Sequence, residues 1–134
     1  MKELLGKKIK KIFIDEDSQT YLQFQTNKGN VNYVGYGDCC SETYFSDVNR
    51  LKNIIGQKVI RVEEAKLFDE EKVSQQESRQ GEDQIYGVRI TTNKGTGLIV
   101  YRNSSNGYYG GSADYTEEIP KDIKMIEIKK DWAV

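Results

Sequence analysis

Two polar, aromatic, glycine-containing segments hold the residue types best suited to chemistry. The first runs Tyr33-Val34-Gly35-Tyr36-Gly37-Asp38-Cys39-Cys40-Ser41, and the second covers 101–112 and includes Arg102-Asn103-Ser104-Ser105-Asn106-Gly107-Tyr108-Tyr109. A tyrosine face stacks on a planar ring. An arginine grips a phosphate or carboxylate in a forked pair, and asparagine side chains read amide or base edges. Gly107, Gly110 and Gly111 would let backbone amides approach a ligand closely. The candidate ligand-binding residues are therefore Arg102, Asn103, Ser105, Asn106, Tyr108 and Tyr109, with Tyr36 and Asp38 from the first segment. Together they suit a small anionic, nucleotide-like ligand. The glycine spacing matches neither a P-loop nor a dinucleotide fingerprint. The competing reading is structural: Asn-Gly and Gly-Gly mark turns, and tyrosine is common in half-buried strands.

Catalytic groups are harder to find. The chain has no histidine, which removes Ser-His and Cys-His nucleophile pairs and most zinc sites. Cys39 and Cys40 are adjacent, and neighbouring cysteines rarely bridge because the ring is strained. Cys39 and Cys40 with Asp38 do not make a plausible tetrahedral ligand set. The carboxylate groups Glu63-Glu64, Asp69-Glu70-Glu71 and Glu117-Glu118 lie in charged surroundings that suit solvated faces. We therefore expect no catalytic residues, no metal and no cofactor.

The elements that must position these segments follow from an internal repeat. Leu4-Leu5-Gly6-Lys7-Lys8-Ile9 recurs as Ile54-Ile55-Gly56-Gln57-Lys58-Val59, and Thr26-Asn27-Lys28-Gly29 recurs as Thr92-Asn93-Lys94-Gly95. The second half is longer, and the polar stretch 69–84 reads as a mobile insert. Alternating apolar residues on both sides of each Thr-Asn-Lys-Gly predict two hairpins, each closed by a three-residue loop with glycine left-handed. Gly97 marks a weak point or bulge in the second. Tyr44, Phe45, Val48, Leu51 and Ile55 fall on one face of a helix that Gly56 would end. Residues 123–130 alternate Ile and Met with charge and read as a further strand. The expected architecture is α+β: one domain over 1–134, with related halves at about 4–45 and 54–117. The hairpins form antiparallel sheet or sheets packed with one main helix.

Charge and composition narrow the partners. Twenty basic and 21 acidic side chains leave a formal charge of −1, which argues against broad duplex nucleic-acid binding. The N-terminal MKELLGKKIKKI has no long apolar run, so neither signal peptide nor membrane span is expected. Two adjacent cysteines give no disulfide framework, and a cytoplasmic location is the natural expectation. Sheet edges that need cover predict a homo-oligomer, most simply a two-fold dimer.

The Gly37-Asp38-Cys39-Cys40-Ser41 and Ser105-Asn106-Gly107-Tyr108-Tyr109 signatures, with Leu5-Gly6-Lys7, Ile55-Gly56 and Ser112-Ala113-Asp114-Tyr115, support a resemblance over about residues 4 to 117. The chain resembles an uncharacterised domain family of bacteriophage and bacterial genomes. That resemblance supplies no catalytic residues. It implies a setting, the host bacterial cytoplasm, and by setting and residue palette it is similar to phage anti-defence nucleotide sponges. The expected function is a non-catalytic counter-defence protein that sequesters a small nucleotide-derived signal. The alternatives are an inhibitor or accessory protein that contacts a host defence protein, and a small hydrolase.

Overall fold

The computed structural model describes residues 1–65, 76–107 and 109–134. Ten strands are described: β1 (Ile9–Asp15), β2 (Tyr21–Thr26), β3 (Gly29–Gly37), β4 (Glu42–Asn49), β5 (Arg61–Ala65), β6 (Glu82–Thr92), β7 (Gly95–Ser105), β8 (Gly111–Thr116), β9 (Met125–Glu127) and β10 (Trp132–Ala133). Two 3₁₀ turns, Lys2–Leu4 and Leu51–Asn53, are the helical elements described. The strands form two antiparallel five-stranded sheets, ordered β8-β3-β2-β1-β9 and β10-β4-β7-β6-β5. One hydrophobic cluster joins them. It takes Ile12, Ile14, Leu22, Phe24 and Tyr33 from the first sheet and Phe45, Val48, Ile90 and Ile99 from the second.

This corrects the α+β expectation: the protein is nearly all β, and no main helix covers a face among the described residues. The segment expected to be helical is strand β4 followed by a 3₁₀ turn. Its apolar spacing of three has a physical origin. The β4–β7 register shifts between Phe45 and Asp47, leaving Ser46 as the extra residue. Such a bulge breaks strict alternation, so Phe45 and Val48 both reach the core. β4 also lies inside its sheet, between β10 and β7, and is buried at six consecutive positions, 43–48. A strand buried on both faces loses the period-two signature.

The halves are related by a local two-fold, visible in matched hydrogen bonds. Gly6 N donates to Val59 O (2.9 Å) and Gly56 N to Ile9 O (2.7 Å); Ile9 N donates to Gln57 O (3.1 Å) and Val59 N to Lys7 O (2.9 Å). Gly6 and Gly56 share φ +78°, a left-handed conformation that glycine adopts cheaply. Lys8 bridges its own counterpart, Lys58, at the axis. Each half runs 3₁₀ turn, three sheet strands, then one strand that crosses over. β4 leaves the first half to pair with β7, and β8 leaves the second to pair with β3.

The turns at Thr26–Gly29 and Thr92–Gly95 occupy equivalent places. In each hairpin the threonine and glycine are paired, so the loop has two residues rather than three. Gly97 sits in regular register opposite Ile90. A Cβ there would lie 2.1 Å from Ile54 Cδ1, so the glycine makes room for the 3₁₀ turn to pack on the sheet. Of the expected insert, 69–75 lies outside the described residues, and Glu82, Asp83 and Gln84 belong to β6. Of the strand expected at 123–130, only β9 (Met125–Glu127) forms, and it pairs with β1; β10 lies beyond the expected range and pairs with β4 in the other sheet. Among the described residues, no helix is long and apolar enough to cross a membrane.

Candidate functional site

The two signature segments meet. β3 pairs with β8 from Asn32↔Thr116 to Gly37↔Gly111, and Asp38 N donates to Gly110 O at 2.9 Å. The glycines at this seam are used for backbone packing. A Cβ on Gly35 would fall 2.3 Å from Thr43 O, and one on Gly111 would fall 2.0 Å from Thr43 Oγ1 and 2.7 Å from Asn103 Oδ1. Asn103 is fully buried; its amide donates to Tyr109 O (2.6 Å) and its carbonyl accepts from Thr43 Oγ1 (2.8 Å).

Arg102, next to Asn103 on β7, is buried with 3% of its side chain exposed, and strand alternation points it away from the face that Asn103 uses. Its Nε donates to Ser46 Oγ (3.1 Å), and its guanidinium lies 3.9 Å from Asp47 and 3.7 Å from Asp83. Ser46 Oγ donates to Asp47 (2.5 Å) and Ser104 Oγ to Asp83. Buried charges persist only when paired and hydrogen-bonded, and this network meets that need from inside the second sheet. Ser105 is buried and accepts from Gly107 N (2.9 Å). Of the expected site residues, Tyr36, Asp38 and Asn106 are exposed and Tyr109 is at the edge of exposure. Tyr108 lies outside the described residues. The structure thus brings the two segments together, but it turns Arg102, Asn103 and Ser105 inward and leaves the other described members outside.

A different region forms a cavity of about 640 Å³. Its floor is Leu51, Ile55 and Ile128, and its walls carry Lys10, Lys11, Arg50, Lys52, Lys129 and Lys130 against Glu127 and Asp131. Six cations and two anions give +4, in a chain whose total is −1. Three elements build it. β1 supplies Lys10 and Lys11. The second 3₁₀ turn and the residues after it supply Leu51 and Ile55, and the link between β9 and β10 supplies Ile128 and closes the side. Asp131 fixes that link by accepting Arg50 N at 3.0 Å and Leu51 N at 2.8 Å. These bonds satisfy donors at the start of the turn, where Arg50 has φ +55°. Lys11 pairs with Glu127 at 3.9 Å; Lys10, Lys52, Lys129 and Lys130 make no ion pair among the described residues. Lysine stems cover apolar surface while their ammonium groups stay at its rim. Sequence reasoning passed over this site because its residues are far apart in the chain; the available signal was the doublets Lys10-Lys11 and Lys129-Lys130.

A smaller cavity of about 340 Å³ has the opposite character. Glu3, Glu63, Glu64 and Asp114 outnumber Lys2, giving a side-chain charge of −3, among Tyr33, Tyr101 and Tyr115. Burial and the hydrogen bond to Glu3 (3.0 Å) push the Tyr33 phenol well above the usual tyrosine value. Among the described residues, no group of three His, Cys, Asp or Glu side chains is placed to hold a metal ion.

A family model described as a domain of unknown function, DUF7448, matches residues 2–115. No curated protein and no solved structure matches the chain.

Proposed function

We propose that this chain, which belongs to the DUF7448 family, is a non-catalytic binding protein for a small polyanion, of the nucleotide-derived phosphate class. The observation that carries this reading is the basic cavity over an apolar floor. Six cations drawn together repel one another, and a bound polyanion relieves that repulsion. The ammonium groups would take phosphate oxygens as point charges. Leu51, Ile55 and Ile128 would take an apolar or aromatic face. The lack of histidine favours holding over turnover. In the phage or bacterial setting implied by the sequence resemblance, such a protein would act by sequestering its ligand from a host defence pathway. The ligand class expected from sequence is kept, but its site moves from the Arg102 segment to the lysine cavity.

The test is calorimetric titration with ATP, a cyclic dinucleotide and inorganic pyrophosphate, on the wild type and on Lys52→Glu with Lys129→Glu. A charge-assisted contact contributes roughly 1.5–3 kcal/mol, so losing one should weaken binding by about one to two decades. Raised salt should weaken it further. Equal affinity in the charge-reversed variant rejects the site, and a chemically altered nucleotide recovered after incubation rejects the non-catalytic role.

A further inference from the structure

The turn between β3 and β4 carries both cysteines of the chain, side by side and exposed. Ser41 N donates to Asp38 O at 2.9 Å, so Cys39 and Cys40 are the two central residues of a tight turn. The Cys39 and Cys40 Sγ atoms are 2.7 Å apart. Cys39 has φ +42°, a left-handed conformation unusual outside glycine. The turn is anchored from outside itself: Asp38 N (2.9 Å) and Ser41 Oγ (3.2 Å) both donate to Gly110 O. Gly37 is held equally closely, since a Cβ there would lie 2.6 Å from Ser41 O. The backbone thus holds the two exposed sulfurs together at the surface.

We propose that Cys39 and Cys40 form a reversible redox modification site, a vicinal dithiol that a low-molecular-weight disulfide oxidises to a Cys39–Cys40 disulfide. The step balances as a two-electron exchange. One thiolate attacks the external disulfide, forming a mixed disulfide and releasing one small thiol. The neighbouring cysteine then attacks the mixed disulfide and releases the second small thiol. Two S–H bonds are lost from the protein, one S–S bond is gained, and the external disulfide is reduced to two thiols.

The geometry also sets the character of the bond. Successive Cα atoms across a trans peptide are about 3.8 Å apart, less than the roughly 4.4–6.8 Å of ordinary disulfides. The closed ring is therefore strained, and strained exposed disulfides are the labile, regulatory ones. Such a bond forms under an oxidising thiol pool and is among the first to reopen. Its position gives it reach, because β3 and β4 belong to different sheets and the turn is tied to the strand entering β8.

The test exposes the full-length protein to excess glutathione disulfide, traps free thiols by alkylation and reads intact mass and peptide map. The expected result is loss of two hydrogen masses, a peptide linking Cys39 to Cys40, and full reversal by a dithiol reductant. Amide chemical shifts should move for residues 36–43 and 109–112 and little elsewhere. Cys40→Ser should instead accumulate a glutathione adduct on Cys39, its melting temperature showing that it is folded. A wild type that stays unmodified, or that holds a stable glutathione adduct or an intermolecular disulfide, overturns the proposal.

Discussion

The two 3₁₀ turns are counterparts under the local two-fold, yet their surroundings carry opposite charge. Leu51 and Lys52 of the second turn line the cavity with +4, while Met1 and Lys2, their counterparts at an offset of 50, line the one with a side-chain charge of −3. The net charge of +4 comes from Lys10, Lys11, Arg50 and Lys52, because the two cations and two anions of residues 127–131 cancel; the C-terminal segment instead supplies the enclosure. β9 adds to the edge of β1 and β10 to the edge of β4, so residues 125–133 clasp the two sheets on one flank. On the opposite flank β5 and β8 are the outermost strands, with no partner beyond them among the described residues. β5 there shows charged Arg61, Glu63 and Glu64, the kind of side chain that discourages edge pairing. The family match ends at residue 115, so the clasp lies beyond it. A symmetric repeat supplies two equivalent sites, and a segment added to one of them makes that one distinct.

The largest expected effect tests whether the clasp contributes to the core. Ile128 is buried at 4% exposure in the central cluster, and its N–H donates to Ile12 O at 2.8 Å. Ile128→Ala should cost about 2–5 kcal/mol, read from the shift of the denaturant midpoint at unchanged slope. A shift below about 1 kcal/mol would mean that the flanks are energetically alike. The two-fold itself is tested next, at Gly6 and Gly56. Both have φ +78°, and a Cβ at either would meet nothing within 4 Å, so alanine there meets only backbone strain. Each substitution should cost about 1–2 kcal/mol, and the two costs should match; a marked inequality would break the equivalence.

The hairpins were legible in the sequence because their signals are local. Alternating Leu22 and Phe24, or Val88 and Ile90, and the Thr-Asn-Lys-Gly turns that follow them, depend only on chain neighbours. β4 was not legible, since its apolar spacing reflects a bulge and a central place in the sheet, and both are set by partners distant in sequence. The strand crossing was hidden for the same reason: nothing in residues 42–49 says that they pair with 98–104 rather than with their own half. Arg102 shows the limit at the site. Its type suits an anion, but Asp47 and Asp83, 55 and 19 positions away in sequence, had already supplied one. The lysine cavity draws on residues near 10, 50 and 130, so only the fold brings its charges together.

The smallest effects discriminate most finely between the flanks. Leu5 and Ile55 are counterparts, one residue before Gly6 and Gly56. Leu5 is 48% exposed, whereas Ile55 packs against the core and forms part of the cavity floor. Removing apolar area costs in proportion to what is buried, at roughly 25 cal/mol per Å². Ile55→Ala should therefore cost about 1 kcal/mol, and Leu5→Ala should stay within about 0.5 kcal/mol. Binding provides an independent readout. If the floor receives a ring while the lysines hold phosphate, Ile55→Ala should weaken ATP several-fold and leave pyrophosphate unchanged. Leu5→Ala should alter neither. Equal loss for both ligands in Ile55→Ala would show that the floor only supports the lysine stems, and loss in Leu5→Ala would place the site on the open flank instead.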